Sequence, residues 1–460
     1  MRERILAVGL AIALGACAAR VTVPQTPITA PHTLTTPLTS AEAFEREWWR
    51  QFDDPVLDQL IADALSANRD LRAAAARVTA ARELAGAARL ALVPTGGAVA
   101  GAARQHVSAR EAGGLDLPSR TGALVHVGVE LGWEADVFGR LRGRARAAMT
   151  EARALETDAR AVQVAVAAQV AGAYFDWRGA HREDALLASM RDRTRDLLSR
   201  TATLVRAGRL TRLDLVRTQQ IDDALAADRA AATHAAERAR LRLATLLGHT
   251  GDAWLIPDAP ERPLRATPLP IGAAADVIRR RPDVAGADLR MRAVAERAGA
   301  ARADLFPRVE FAGAIGLVAG GVGQLAEVAS VSWLMAPRLT WAFLDWPAQR
   351  RRMRAAGALT EAAFAEYEQT VLAALEEVRV ALDGYRAATE TLGAAGRWSA
   401  AAAEAAAIVA RQYDEGMVDS LAHALAARDA IAASLTESRA ITRHRQAIVE
   451  LYRALGGGWQ

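Results

Sequence analysis

The 460-residue chain writes one unit twice, and this duplication limits its possible folds more than any other feature. Asn68-Arg69-Asp70-Leu71 opens a helical run ending at Leu92-Val93-Pro94, and Arg281-Pro282-Asp283-Val284 opens another ending at Leu305-Phe306-Pro307. Trp133 with Asp136, and Trp341 with Asp345, each lead into a long segment almost free of helix breakers. Ala207-Gly208-Arg209-Leu210 answers to Glu415-Gly416-Met417-Val418, and Leu247-Gly248 to Leu455-Gly456. Across these landmarks the offset stays between 208 and 213 residues, so one order of elements must serve both halves. The halves are read as residues 41–248 and 274–458. The connector over 249–273 is broken by Pro257, Pro260, Pro263, Pro268 and Pro270.

Each half reads as helix, two strands, very long helix, break, long helix. The segments from Gly139 to Arg206 and from Pro347 to Tyr413 are each predicted as one helix of roughly 100 Å, at about 1.5 Å per residue. A globule has no use for that length, whereas a duct across a compartment does. Hydrophobic residues make up 52% of the chain but aromatics only 5%, because alanine supplies much of the apolar count. Alanine with periodic Leu and Val lets helix backbones approach closely, as in coiled-coil layers.

Strands are predicted where the period changes to two. Val125, Val127, Val129, Leu131 and Trp133 alternate with His126, Gly128, Glu130 and Gly132. Val309, Phe311, Gly313, Ile315 and Leu317 alternate with Arg308, Glu310, Ala312, Ala314 and Gly316. A third run carries Met335, Leu339, Trp341 and Phe343 at odd positions, and residues 96–106, rich in Gly and Ala, make a weaker fourth. About ten alternating residues per strand is the pattern of a membrane β-barrel. Four strands cannot close a barrel, and an open edge in lipid leaves backbone groups unpaired at several kcal/mol each. Several copies must therefore join, and three copies make twelve strands. The expected fold is mixed α and β: a trimeric twelve-stranded transmembrane β-barrel, four strands per chain, continued by a long α-helical barrel.

The N-terminus has an address of its own. Arg2 and Arg4 precede an uncharged stretch from Ile5 to Leu14, and Leu14-Gly15-Ala16-Cys17 follows. That order resembles a bacterial lipoprotein signal over residues 1–16, too short to span a bilayer, with lipid carried on Cys17. Ala18 favours the outer membrane, because the aspartate that retains lipoproteins in the inner membrane is absent there. Residues 17–40, with Pro24, Pro27, Pro31 and Pro37, form an extended tether.

Chemistry is not written into this chain. The net charge is only +4, every cation is arginine, and the charges are interspersed, which argues against nucleic acid. The eight histidines are dispersed and form no H-E-x-x-H or metal-ligand spacing. No phosphate loop, nucleophile elbow or dinucleotide fingerprint occurs. Asp222-Asp223 and Glu376-Glu377 are adjacent on helices, point about 100° apart and are read as solvated faces. Neither an enzyme activity nor a cofactor or metal is expected.

Four stretches carry a family resemblance: Trp48-Trp49-Arg50-Gln51-Phe52-Asp53-Asp54-Pro55-Val56-Leu57-Asp58, Trp133-Glu134-Ala135-Asp136-Val137-Phe138-Gly139-Arg140-Leu141-Arg142, Arg279-Arg280-Arg281-Pro282-Asp283-Val284-Ala285-Gly286-Ala287-Asp288-Leu289 and Leu455-Gly456-Gly457-Gly458-Trp459. With these, the chain resembles the TolC-like outer-membrane factors, in their lipidated NodT/OprM-type branch. The resemblance implies a passive outer-membrane exit duct of a tripartite RND-type efflux system, docked to a periplasmic adaptor and an inner-membrane transporter. A type I secretion duct and a lipid-anchored periplasmic coiled coil are the alternatives. It also implies a gate at the periplasmic end, where Gly208 and Gly416 break the helical hairpins. Tyr413 would tie the second hairpin to its neighbour and Asp419 would face the lumen, or else Tyr413 packs and Asp419 caps a helix. Ala422 and Leu425 stand where family members often carry aspartates.

Overall fold

A computed structural model describes residues 39–40, 47–108, 110, 121–250, 254–257, 269–271 and 280–457. The expected signal segment, Cys17 and all but the end of the tether lie outside these residues. In chain order the described elements are β1 (Thr39–Ser40), α1 (Pro55–Ala67), α2 (Arg69–Leu90), β2 (Thr95–His106), β3 (Thr121–Ala135), α3 (Arg140–Arg206) and α4 (Arg212–Leu246). They continue with β4 (Leu269–Pro270), α5 (Pro282–Ala303), β5 (Arg308–Ala319), β6 (Val331–Thr340), α6 (Trp346–Asp414) and α7 (Ser420–Ala454). The described chain packs as two compact units, each drawing on both halves. One takes in Arg77–Glu156 and Gly286–Glu368; the other takes in the described parts of Pro27–Ala76, Thr157–Ala285 and Gln369–Gln460.

The first unit is built on one antiparallel sheet in the order β2-β3-β5-β6, so the two hairpins meet at the β3–β5 seam. Register sorts the side chains by chemistry. Val129, Ile315 and Trp333 form one cross-strand row, with Val127, Leu317 and Val331 beside it, on a single face. The other face carries Glu130, Glu134, Glu310, Arg338 and Ser332 among glycines and alanines. Trp333 and Met335 are 74% and 76% exposed on the apolar face, as lipid-facing residues of a single protomer would be. The predicted third strand is shorter than its alternation suggested. β6 stops at Thr340, and Trp341 and Phe343 lie beyond it, Phe343 opening a 3₁₀ turn to Asp345. The reason is the partner strand: β5 begins at Arg308, opposite Thr340, so the ladder ends there, and beyond it the Trp341 indole donates to the Leu305 carbonyl at 3.2 Å. Its counterpart Trp133 donates to the Leu92 carbonyl at 3.0 Å, the same bond in the other half.

The second unit holds the aromatic core. Trp48 stacks on Tyr452 at 5.3 Å and Phe52 tilts against Phe175 at 4.7 Å, which explains why two tryptophans and a phenylalanine precede α1. Asp54 caps α1 by accepting from the amides of Val56 and Leu57, and its other oxygen accepts the Tyr174 hydroxyl at 2.8 Å. Burial and this carboxylate together push the Tyr174 hydroxyl pKa up. Asp222, read from sequence as solvated, is instead buried and bridges Arg191 at 3.1 Å and Arg195 at 3.5 Å. Spacing along one helix does not reveal which face the other helix of a hairpin covers.

The duplication extends to individual joints, with a change of chemistry. Asn68 donates its side-chain amide to the Leu246 carbonyl at 2.9 Å, pinning the end of α4. Arg281, at the matching place, donates to the Ala454 carbonyl at 2.7 Å, pinning the end of α7. Arg281 is buried and also engages Asp283 at 2.7 Å and Glu377 at 2.9 Å. Burial works to raise the Asp283 pKa, but the hydrogen bonds and charge of Arg281 outweigh it and hold this carboxyl below the usual carboxylate range. A lowered folded pKa gives stability that is present above the unfolded value of about 3.9 and is lost as pH falls through the folded one. Arg281→Ala is expected to cost about 2 kcal/mol at neutral pH, a modest figure because both carboxylates are half-exposed and regain water. The difference in melting temperature between parent and variant, followed by circular dichroism, should shrink below about pH 4.

Candidate functional site

The two hairpin ends singled out in the sequence are built alike. At the end of α3, Gly208 takes φ +69°, its amide bonds to the Val205 carbonyl, and the Arg209 amide reaches back to the Leu204 carbonyl at 2.9 Å. At the end of α6, Gly416 takes φ +76°, its amide bonds to the Tyr413 carbonyl, and the Met417 amide reaches the Gln412 carbonyl at 2.8 Å. Both are left-handed closures that favour glycine and stop a helix within three residues. The next helix then starts on a cap. Thr211 and Asp214 make a reciprocal capping box for α4, and Asp419 caps α7 by accepting from the Ala422 amide at 2.8 Å.

Asp419 is therefore a cap, and its side chain is exposed at the tip. Tyr413 stacks within its own hairpin, on His423, at 4.8 Å between ring centres and 19° between planes. Sequence reading passed over His423. Its position, ten residues after Tyr413 and across the Gly416 turn, becomes a signal only once the turn geometry is known. Ala422 and Leu425 lie in the first turns of α7, behind the cap.

Sequence reading also passed over the charge of the two tips. The first presents Arg206, Arg209 and Arg212, all exposed; the second presents Asp414, Glu415 and Asp419, all exposed. Equivalent turns thus carry opposite signs. Among the described residues no group of His, Cys, Asp and Glu has the arrangement of a metal site.

An apolar-faced sheet with unpaired edge strands, joined to hairpins of very long helices, defines a protein that lines a passage through a membrane. The profile of the outer membrane efflux protein family matches residues 60–249 and 274–457, and the chain belongs to that family. It is 31% identical to outer membrane protein OprJ of Pseudomonas aeruginosa, over 98% of this chain and 95% of that protein. It is 30% identical to the toluene efflux pump outer membrane protein TtgF of Pseudomonas putida, over 90% of this chain and 86% of that protein. Among solved structures it resembles the outer-membrane channel OprN, with a TM-score of 0.88 and 34% identity over 96% of this chain and 100% of that one. The open-state MtrE outer-membrane channel of Neisseria gonorrhoeae gives a TM-score of 0.83 and 26% identity, over 95% and 98% of the two chains. The chain is an outer-membrane efflux channel component, and its fold is the one that the family resemblance implied.

Proposed function

We propose that three copies of this chain form a passive exit duct for small molecules, including apolar toxic compounds, that an inner-membrane pump delivers through a periplasmic adaptor. The observation that carries this reading is the sheet: twelve- and ten-residue edge strands, β2 and β6, flank an exposed apolar face. In lipid those edges must pair, and closing the β6 edge of each copy on the β2 edge of the next, head to tail around three copies, leaves none open. Relatives described as toluene and solvent efflux components favour small apolar cargo. Energy comes from the partners, and the chain itself performs no catalysis and takes no cofactor. Its hairpin tips form the gated end, and Cys17 carries a lipid that adds to the anchoring already supplied by the barrel.

The test is the mass and conductance of the full-length protein in detergent and in planar bilayers. A threefold assembly that conducts is expected, and Cys17→Ser is expected to conduct equally while remaining in the membrane fraction. A stable conducting monomer, or no conductance at all, would overturn the reading.

A further inference from the structure

We propose that the start of α6 is a headgroup site for anionic phospholipid of the inner leaflet of the outer membrane. The inference rests on the channel reading above, since it needs the sheet to lie in lipid and α6 to leave it on the periplasmic side. Arg350, Arg351, Arg352 and Arg354 are all exposed, and among the described residues none of the four makes an ion pair. On a helix these positions fan over about 200°, so one flat protein surface could not neutralise all of them. The residues immediately before them are apolar and open. Trp341, Phe343, Leu344 and Trp346 are all exposed, Leu344 at 82%, and they follow the end of β6. Arg350 lies over the Trp346 ring at 5.2 Å, so the last aromatic of the belt touches the first of the cations.

The other half shows what such arginines do when a protein contact is intended. Arg142 pairs with Asp136 at 3.0 Å, Arg144 with Asp304 at 3.3 Å and Arg146 with Glu296 at 2.9 Å. At α6 the arginines remain, and although Asp345 stands at the place of Asp136, none of the four pairs with it or with another carboxylate of the described residues. An aromatic belt followed directly by unneutralised guanidinium groups matches the order of a leaflet, acyl chain and then phosphate. The planar guanidinium fork suits a phosphodiester, and the belt supplies contact for the chains attached to it. A free phosphate ion would offer the same oxygens without the chains.

The experiment uses the full-length protein purified in a neutral detergent, with phosphatidylglycerol and phosphatidylcholine of identical acyl chains. Native mass spectrometry counts the lipids retained per assembly. The parent is expected to retain phosphatidylglycerol over phosphatidylcholine. R350Q/R351Q/R352Q/R354Q is expected to lose that preference, by on the order of fivefold per charge removed, and the corresponding fourfold lysine variant to keep most of it. Arg352→Gln alone should give a partial loss, which preserves the test if the fourfold variant does not fold. Equal retention of both lipids by the parent, or a preference that survives all four glutamines, would overturn the proposal. So would release of the lipid by millimolar inorganic phosphate, which would mark a site for the bare ion. Collapse of the glutamine variant to monomers, with the lysine variant still assembled, would assign these arginines to the subunit contact instead. Conductance of the parent in phosphatidylcholine bilayers is recorded alongside, so that failure of the channel reading is seen separately.

Discussion

Gly128→Val is expected to remove the assembled outer-membrane form of the protein, with the helical hairpins still folded. Gly128 in β3 faces Gly316 in β5, at the seam between the hairpins of the two halves. A Cβ on Gly128 would stand 2.7 Å from the Ile315 carbonyl oxygen and 3.0 Å from the Gly316 Cα, both backbone atoms of a paired strand that cannot rotate aside. The strands would have to part. No turn holds this seam together, because its partners lie nearly 190 residues apart in sequence and only the ladder and its side chains join them. Parting them exposes amides and carbonyls to lipid at several kcal/mol each, far more than the stability margin of a typical fold can absorb. The measurement is the fraction of protein found as an assembly in outer-membrane extracts. Gly132→Ala is the control, because a Cβ at Gly132 in the same strand meets nothing within 4 Å. A Gly128→Val protein that assembled as well as the control would show that the seam has room for a side chain at this position.

The second large effect is expected at the acidic hairpin tip. Asp419→Asn should reduce the cation preference of the open channel with little effect on stability, because asparagine caps a helix about as well as aspartate. Asp419→Ala should lose the same preference and in addition about 1 kcal/mol of stability, because the Ala422 amide loses its acceptor. In the proposed threefold assembly three such carboxylates would converge on one axis, where charges at a narrow opening set which ions enter. Single-channel reversal potentials in a salt gradient and melting temperatures read the two properties separately. Tyr413→Phe tests the tie to a neighbouring hairpin. It preserves the stack on His423 and removes only the hydroxyl, so a raised open probability would mean that the hydroxyl holds the tip closed. Unchanged selectivity in both Asp419 variants would confine that residue to its capping role.

Much of the scaffold was legible because it rests on periods and breakers. The helices of 67 and 69 residues follow from the near absence of breakers, and three of the four strands from their alternation. β2 was harder to read, since a strand of Gly and Ala shows no contrast between its faces. Its small side chains make sense only beside the neighbour, where a Cβ at Gly96 would meet the Glu130 carbonyl oxygen at 2.6 Å. Alternation ran past the true end of β6 because its partner β5 begins only at Arg308, opposite Thr340, and a strand's own spacing does not show where its neighbour starts. The tips show the same limit. Gly208 and Gly416 are visible as breaks, but the stack of Tyr413 on His423 and the opposition of an arginine tip to a carboxylate tip depend on how the chain returns. Arg281 could be quoted as part of a motif, yet its carbonyl partner at Ala454 is 173 residues distant.

The clasp at Ala454 also separates two kinds of hinge. In the first half a neutral amide, Asn68, grips the Leu246 carbonyl, and neither acid nor ionic strength alters that grip. In the second half the gripping group is a guanidinium steadied by two carboxylates, so protons and salt both loosen it. Around an assembly of three copies, such joints would alternate between indifferent and responsive.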